Sequence, residues 1–389
     1  MKPPDRLLSF FGLQRRTLEN PAASLGAESL SGPRVTPNTA LEVTSVLAAV
    51  RLIASTIGAL PLHTYRRTSE GRDTVREHPV YRLLHGRPNG EQTAFTFRET
   101  LQGHLLLYGN AYAEIERDGA GRPIALWPLM PWAVRVERRQ GKKLYLVSVE
   151  GRDVPLSPDN MLHVPGYSLD GSTGLFPIHL ARNAIGLAKA TEEYGSRFFS
   201  NDARPGGALT HPGKLGPEAA DRLKRSWNAA HQGLSASQRV AVLEEGMTFQ
   251  PFGIPPEHAQ FLETRRFAVT EIARTFGLPP HLIGDLERAT FSNIESQQIQ
   301  FVQFCIEPWC RRWEQVLNYA LLDSQHYAEF ALEGLLRGDS KSRADFYTAL
   351  FQIGVLSPND IRERENMNRI PGGDRRFVPL NMAPLDEPT

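Results

Sequence analysis

Apolar residues recur at helical spacing over Pro255–Phe276, where Leu262, Val269, Ile272, Ala273 and Phe276 fall on one face before Gly277 and Pro279-Pro280 end the run. A longer pattern opens at Ser292-Asn293-Ile294-Glu295, a capping-box spacing in which serine and glutamate satisfy each other's backbone donors. Val302, Cys305, Ile306, Trp309, Trp313, Val316, Leu317 and Ala320 then stripe a helix of roughly 28 residues, about 42 Å long. Pro308 lies inside that stripe, where it removes a backbone hydrogen bond and clashes with the preceding turn, so a kink is expected between Phe304 and Pro308.

The rest of the chain alternates between the two periods. Residues 1–40 carry Pro, Gly, Ser and Arg without a sustained period and predict an extended or disordered arm. Thr44–Ala59 predicts a helix with Val46, Leu47, Val50, Ile53, Ala54 and Ile57 on one face, closed by Pro61. Leu62–Arg66 and Thr74–Arg76 flank a turn and predict a hairpin, followed by a helix over Phe95–Tyr108. Ala111–Glu116 alternates strictly, and Ile124–Trp127, Ala133–Arg138 and Leu144–Val149 supply further strands. Together these form an α+β block with an antiparallel sheet. A helix from Pro177 to about Phe199 begins on a proline whose missing donor costs nothing in a first turn. Between it and Pro255, Pro217–His231 predicts a helix, and Gln238–Leu243 and Met247–Gln250 predict strands, so a small module is inserted between two long helices. Helices follow at 340–353 and 358–367, with Asp339 and Ser357 as N-caps.

Composition narrows the classes. A chain of 389 residues exceeds the size at which one core stops growing, so more than one domain is expected. With 41% hydrophobic and 22% charged residues it reads as a soluble globular chain, with no secretory signal or transmembrane span. The net charge of +1 weighs against a factor that grips DNA by neutralising phosphates, and it is compatible with a conduit through which DNA slides. Cys305 and Cys310 lie about 140° apart around one helix and predict core thiols that do not bridge.

Catalytic signatures are missing from the sequence. It contains no phosphate-binding G-x-x-x-x-G-K-[S/T], no H-E-x-x-H, no C-x-x-C and no G-x-S-x-G. The pairs Glu192-Glu193 and Glu244-Glu245 read as surface or interface charge, and the eleven histidines are scattered without ligand spacing, so neither a metal nor a cofactor is predicted. What remains is the polar connection His281–Phe291, with Asp285, Glu287 and Arg288 near its middle.

That connection carries a resemblance. The segment Phe276–Phe301, FGLPPHLIGDLERATFSNIESQQIQF, closely resembles the tunnel-loop region of phage portal proteins of the HK97 type. Leu335–Asp339, Leu356–Asn359 and Pro371–Leu380 resemble the same family in the expected order, so the likeness spans about residues 40–385, with Arg288 and Ala289–Asn293 its most specific part. The resemblance implies an α+β, multi-domain portal subunit assembling into a ring: wing over 41–176, stem helices over 177–200 and 255–277, and clip over 201–254. It further implies a tunnel loop over 278–293, a long kinked wing helix over 294–323, and a wing strand and crown over 324–389.

It also implies a ring of typically twelve copies at one capsid vertex of a virion, assembled in the host bacterial cytoplasm, through which double-stranded DNA is packaged and ejected. The implied partners are the major capsid protein, the terminase large subunit and a head-tail connector, with no membrane. Asp285, Glu287 and Arg288 are then candidates for the narrowest point of the channel, flanked by His281, Thr290 and Asn293. Arg222, Lys224 and Arg225 are candidates for a clip surface that docks terminase and connector. Arg288 has an alternative use in pairing with Glu287 or a neighbouring loop. Two other readings stand beside this one: a ring-forming adaptor that conducts nothing, and a soluble helical enzyme.

Overall fold

The alternating stretches of the first half fold as short strands, and these close into separate three-stranded antiparallel sheets instead of one larger sheet. The computed structural model describes residues 26–69, 71–200, 207–213, 216–219, 221–223, 225, 247–251, 258–285, 297–336, 340–365, 367–377 and 379. The chain divides into one unit of Met1–Ala289 with Gln303–Phe330 and another of Thr290–Val302 with Ala331–Thr389.

The first unit opens with the hairpin β1 (Ala27–Glu28) and β2 (Arg34–Val35), then α1 (Pro37–Leu41) and α2 (Thr44–Ala59). Next come β3 (Leu62–Thr68), β4 (Gly71–Thr74), the short α3 (Pro79–Tyr81) and α4 (Ala94–Tyr108). Six strands follow: β5 (Asn110–Arg117), β6 (Pro123–Leu129), β7 (Val134–Arg139), β8 (Lys142–Val149), β9 (Arg152–Leu156) and β10 (Met161–Pro165). The helices α5 (Pro177–Leu180) and α6 (Arg182–Ser200), the strands β11 (Gly207–Thr210) and β12 (Thr248–Pro251), and then α7 (His258–Phe276), α8 (Glu307–Leu321) and β13 (His326–Phe330) complete the unit. The second unit holds α9 (Glu333–Leu336), α10 (Ser340–Gln352) and α11 (Pro358–Arg364), the last opened by the Ser357–Asp360 capping box.

The sheets are β10-β5-β6, β7-β8-β9 and β13-β3-β4, and the class is α+β. Tyr112, Tyr145, Val147, Leu156 and Met161 form a core shared by the first two. β9 and β10 were not anticipated from the sequence. β13 returns from far along the chain to pair with β3, Phe330 opposite Leu62 and Tyr327 opposite Tyr65.

Two expectations are corrected. Residues 26–41 are folded where an extended arm was predicted, because Thr36 and Thr39 close a capping box and Ser29 accepts and donates locally. With its backbone satisfied, this segment buries Val35 and Ala40 and ties to α6 through Lys189 Nζ, 2.5 Å from Glu42. Residues 1–25 lie outside the described residues. On α2 the predicted stripe is buried except Leu47, which sits at its edge and is 46% exposed.

α8 packs on β13 and β10 and is hydrogen-bonded to several further parts of the first unit. Trp313 is fully buried (0% exposed), and its Nε1–H donates to Gln102 Oε1 of α4 at 2.9 Å. Glu314, also buried, accepts from the Phe330 amide at 2.9 Å, and Asn318 Oδ1 accepts from the Ala328 amide at 2.6 Å, so α8 is stitched to β13. Arg312 donates to the Gly166 carbonyl at 2.9 Å, and Arg117 donates to the Ala320 carbonyl at 3.1 Å, satisfying an acceptor in the last turn. Ahead of α8, Phe301–Ile306 form a π-helical turn, so the expected irregularity falls there, while Pro308 occupies the first turn of α8. Trp309, expected in the buried stripe, is half-buried, with the Arg312 guanidinium 5.7 Å from its ring centroid.

The entry to α5 and α6 is held at the C-terminal end of α4. Gly109 takes φ +78°, and an added Cβ there would collide with the Leu175 carbonyl; one at Gly174 would collide with the Gly109 carbonyl. Asn110 grips the same strand of backbone, accepting from the Gly174 amide at 2.8 Å and donating to its carbonyl at 2.9 Å. His163 fixes Asn110 in turn. Its Nε2 lies 3.0 Å from Asn110 Oδ1, and its Nδ1 faces Tyr145 Oη and Lys143 Nζ, both at 3.1 Å. Burial first, and then the Lys143 charge, lower the His163 imidazolium to about 3, so the ring is neutral, accepts at Nδ1 and donates at Nε2.

Trp313→Ala is expected to cost about 3–5 kcal/mol and the half-buried Trp309→Ala about 1 kcal/mol, read from denaturant midpoints. Equal costs would show that the burial difference is not felt. For His163, the unfolded ring protonates near its ordinary value of about 6.5 and the folded ring only near 3, so the unfolded chain binds more protons between them. Stability that is complete above that upper value is therefore lost as pH falls. In His163→Gln the fall should be shallower, by up to about 1.4 kcal/mol per pH unit. An unchanged slope would mean that the folded ring is already charged.

Candidate functional site

α6 and α7 pack side by side and carry the connection of interest at their far end. The predicted single helix over 177–199 is broken at Ala181, whose ψ of 5° leaves the helical range; Arg182 then donates to the His179 carbonyl at 2.9 Å. α6 buries Ile185 and Ala188, and α7 buries Ala268, Ile272, Ala273 and Phe276. The outer surfaces are mixed. Leu187 (39% exposed), Tyr194 (53%) and Phe267 (52%) stand open to solvent among alternating charges. Glu193 pairs with Arg197 at 2.5 Å, and Arg265 lies 3.9 Å from Glu192.

The end of α7 is built by its sequence. Gly277 adopts φ +70°, the Leu278 amide donates to the Ala273 carbonyl at 2.8 Å, and the Gly277 amide donates to the Arg274 carbonyl at 3.2 Å, the double bond of a Schellman ending. Leu278 is buried beneath it. Pro280–Ile283 make one 3₁₀ turn, stopped by Gly284 at φ +103°. The Asp285 amide then donates to the Pro280 carbonyl at 3.2 Å, and its carboxylate accepts from Thr270 Oγ1 at 3.1 Å.

Asp285 is thus folded back onto α7, half-buried, rather than projecting from the connection as a bare charge. Thr270 was not legible as its partner, because nothing in a helical threonine announces a residue fifteen positions away. Both ring nitrogens of His281 are buried without a hydrogen-bond partner among the described residues. Glu287, Arg288, Thr290 and Asn293, together with the Ser292–Glu295 capping box, lie outside the described residues.

In the inserted module, β11 and β12 pair antiparallel, Thr210 opposite Thr248 with their hydroxyls 2.6 Å apart. β12 matches the strand expected over Met247–Gln250, whereas β11 falls where no strand was expected. Arg222 and Arg225 are exposed on helical residues, and Arg225 Nε donates to the Asp221 carbonyl at 3.3 Å. Lys224 and the strand expected over Gln238–Leu243 lie outside the described residues.

Among the described residues, no group of three or more His, Cys, Asp or Glu is placed to hold a metal, and no helix is long and apolar enough to cross a membrane. Cys305 and Cys310 are free and buried, and burial pushes the Cys305 thiol up to about 12.

A sequence model described as Phage portal protein matches residues 44–366. A probable portal protein of Streptomyces phage phiC31 is 36% identical over 383 residues, covering 94% of this chain and 83% of the relative. The portal protein of Enterobacteria phage HK97 is 33% identical over 372 residues, covering 93% and 86%. Among solved structures, the neck of a native gene transfer agent particle, computed with C12 symmetry, matches with a TM-score of 0.60 at 26% identity, covering 89% of this chain and 96% of that one. The family match begins on the first residue of α2 and ends just beyond α11, so it spans both units; among the described helices and strands it leaves out the N-terminal hairpin and α1, and it stops short of residues 367–389. The chain belongs to the phage portal protein family.

Proposed function

We propose that this chain is the subunit of a portal ring at one vertex of a tailed-phage or phage-like capsid, through which double-stranded DNA is packaged and later released. The observation that carries the reading is the α6–α7 pair, which leaves Leu187, Tyr194 and Phe267 exposed in a chain matched to portal proteins over nearly all its length. Fully burying one such side chain stabilises by about 1.5–3 kcal/mol, and neighbouring copies packed around an axis offer that burial. The C12 neck of the gene transfer agent particle supports twelve as the copy number.

On this reading α6 and α7 are the stem, residues 201–254 the clip, 278–293 the tunnel loop, 41–176 with α8 and β13 the wing, and α10 and α11 the crown. The mixed charges of α6 and α7 suit a wall along which DNA slides, since alternating signs attract and repel phosphates without a strong net hold. Glu287 and Arg288 are the candidates for the narrowest ring, because Asp285 is engaged by Thr270. The exposed Arg222 and Arg225 fit a docking face for the packaging ATPase and then the head-tail connector. The family is structural, and the subunit is read as non-catalytic, working in the virion after assembly in the host cytoplasm with the major capsid protein around it.

Leu187→Asp should convert rings to monomers or small oligomers in native mass spectrometry while the melting temperature of the subunit holds. Rings at full yield would place Leu187 outside the interface. In a packaging assay, deletion of Asp285–Arg288 should leave rings intact and reduce DNA-filled particles, whereas charge reversal at Arg222 and Arg225 should weaken ATPase binding to intact rings. Normal filling by the deletion would favour a ring that supports the neck without gating DNA, and normal ATPase binding would remove the clip assignment.

A further inference from the structure

The hairpin of β7 and β8 ends in a concentration of positive charge that the portal reading does not use. Arg138, Arg139, Lys142 and Lys143 surround a two-residue turn in which Gln140 and Gly141 both take positive φ, 52° and 79°, the geometry that matches strand twist. The ladder stays in register to the turn itself, with Arg138 opposite Lys143 and Arg139 opposite Lys142. Like charges directly opposite one another disfavour a hairpin, and here two such pairs are stacked at the tip. The conflict is felt locally. Burial lowers the Lys143 ammonium, and the Arg138 charge lowers it further.

The Asp170 carboxylate acts on Lys143 in the opposite sense, and little offsets the charge of the exposed residues at the tip. Glu137 lies 3.2 Å from Arg139 but also 2.9 Å from Arg135, and among the described residues no ion pair engages Arg138 or Lys142. From Glu137 to Lys143, four cations against one carboxylate leave a net charge of three, in a chain whose total is +1. Arg138, Arg139, Gln140, Gly141 and Lys142 are all exposed, and no apolar side chain stands among them. A protein-docking surface normally centres on a buried aromatic or aliphatic anchor, and this tip has none. Contact with a phosphate backbone needs only fixed, closely spaced cations, and a tight hairpin supplies them already ordered.

We propose that this hairpin tip is a sequence-independent contact for the phosphate backbone of duplex DNA, made through Arg138, Arg139 and Lys142. The inference rests on the portal reading only for the choice of DNA as the polyanion. The test uses the full-length assembled ring and a fluorescently labelled duplex of arbitrary sequence, with anisotropy followed across a salt series. Arg138→Ser, Arg139→Ser and Lys142→Ser combined should weaken binding and flatten the slope of log affinity against log salt by about 2–3, the share of three phosphate contacts. Arg138→Lys with Arg139→Lys should keep the slope, since charge alone is required.

An unchanged slope in the serine variant would overturn the proposal. So would a lysine variant as weak as the serine one, because that would assign the arginines to a structural role beside Glu137. If polyglutamate binding is lost while duplex binding stays, the tip belongs to an acidic protein partner and the DNA assignment fails. Micrographs of the same samples score the portal reading separately: chains that form no ring with a central hole defeat that reading whatever the salt slope shows.

Discussion

The buried hydrogen bond from Trp313 of α8 to Gln102 of α4 is the constraint from which the first unit is best understood. An indole can remove on the order of 200 Å² from water, but its N–H must keep a partner, and Gln102 inside α4 provides it. That single bond sets the height of α8 against α4. Once the height is set, Glu314 and Asn318 meet the amides of β13, Arg312 meets the Gly166 carbonyl, and the last turn meets Arg117. A helix drawn from late in the sequence thereby holds two sheets formed from its beginning.

Helices with long apolar stripes were legible because packing and period agree. Thr44–Ala59 is helical over the expected residues, and the C-terminal ends of α4, α7 and α8 fall within a residue or two of the expected ones, although the long stripe expected from 294 becomes α8 only at Glu307. Three kinds of feature were not legible. β9 and β10 are five residues each and carry too little alternation to stand out, so one sheet was expected where two share a core. The pairing of β13 with β3 is a non-local choice that no local pattern encodes. Individual exposures also escaped: periodicity assigns Trp309 and Trp313 to one stripe, and only the packing partner decides that the second is fully buried while the first shares its face with Arg312. In the candidate site, the glycine and prolines that stop α7 were readable, whereas the capture of Asp285 by Thr270 was not.

The small net charge conceals segregation. α6 and α7 intersperse acids and bases along their surfaces, while the tip of the β7–β8 hairpin gathers bases alone. Near neutrality therefore argues against a strong grip averaged over the molecule, and it does not argue against a strong local one. A conduit needs low friction along its wall and tolerates firm contact elsewhere, and on the proposed reading the two requirements fall to different elements of the same chain.

The glycine clasp at the end of α4 acquires its meaning when copies are arranged about an axis. A closed ring demands that one rotation, repeated from subunit to subunit, return to its starting point, so a small angular error at each step is multiplied by the number of copies. α5, with α6 beyond it, leaves the body where Gly109 and Gly174 lie backbone to backbone and Asn110 locks the register, leaving no room even for a methyl group. In a ring built as proposed, a tolerance harmless in a monomer would accumulate into a spiral, and a clasp that admits no side chain is a joint suited to limit it.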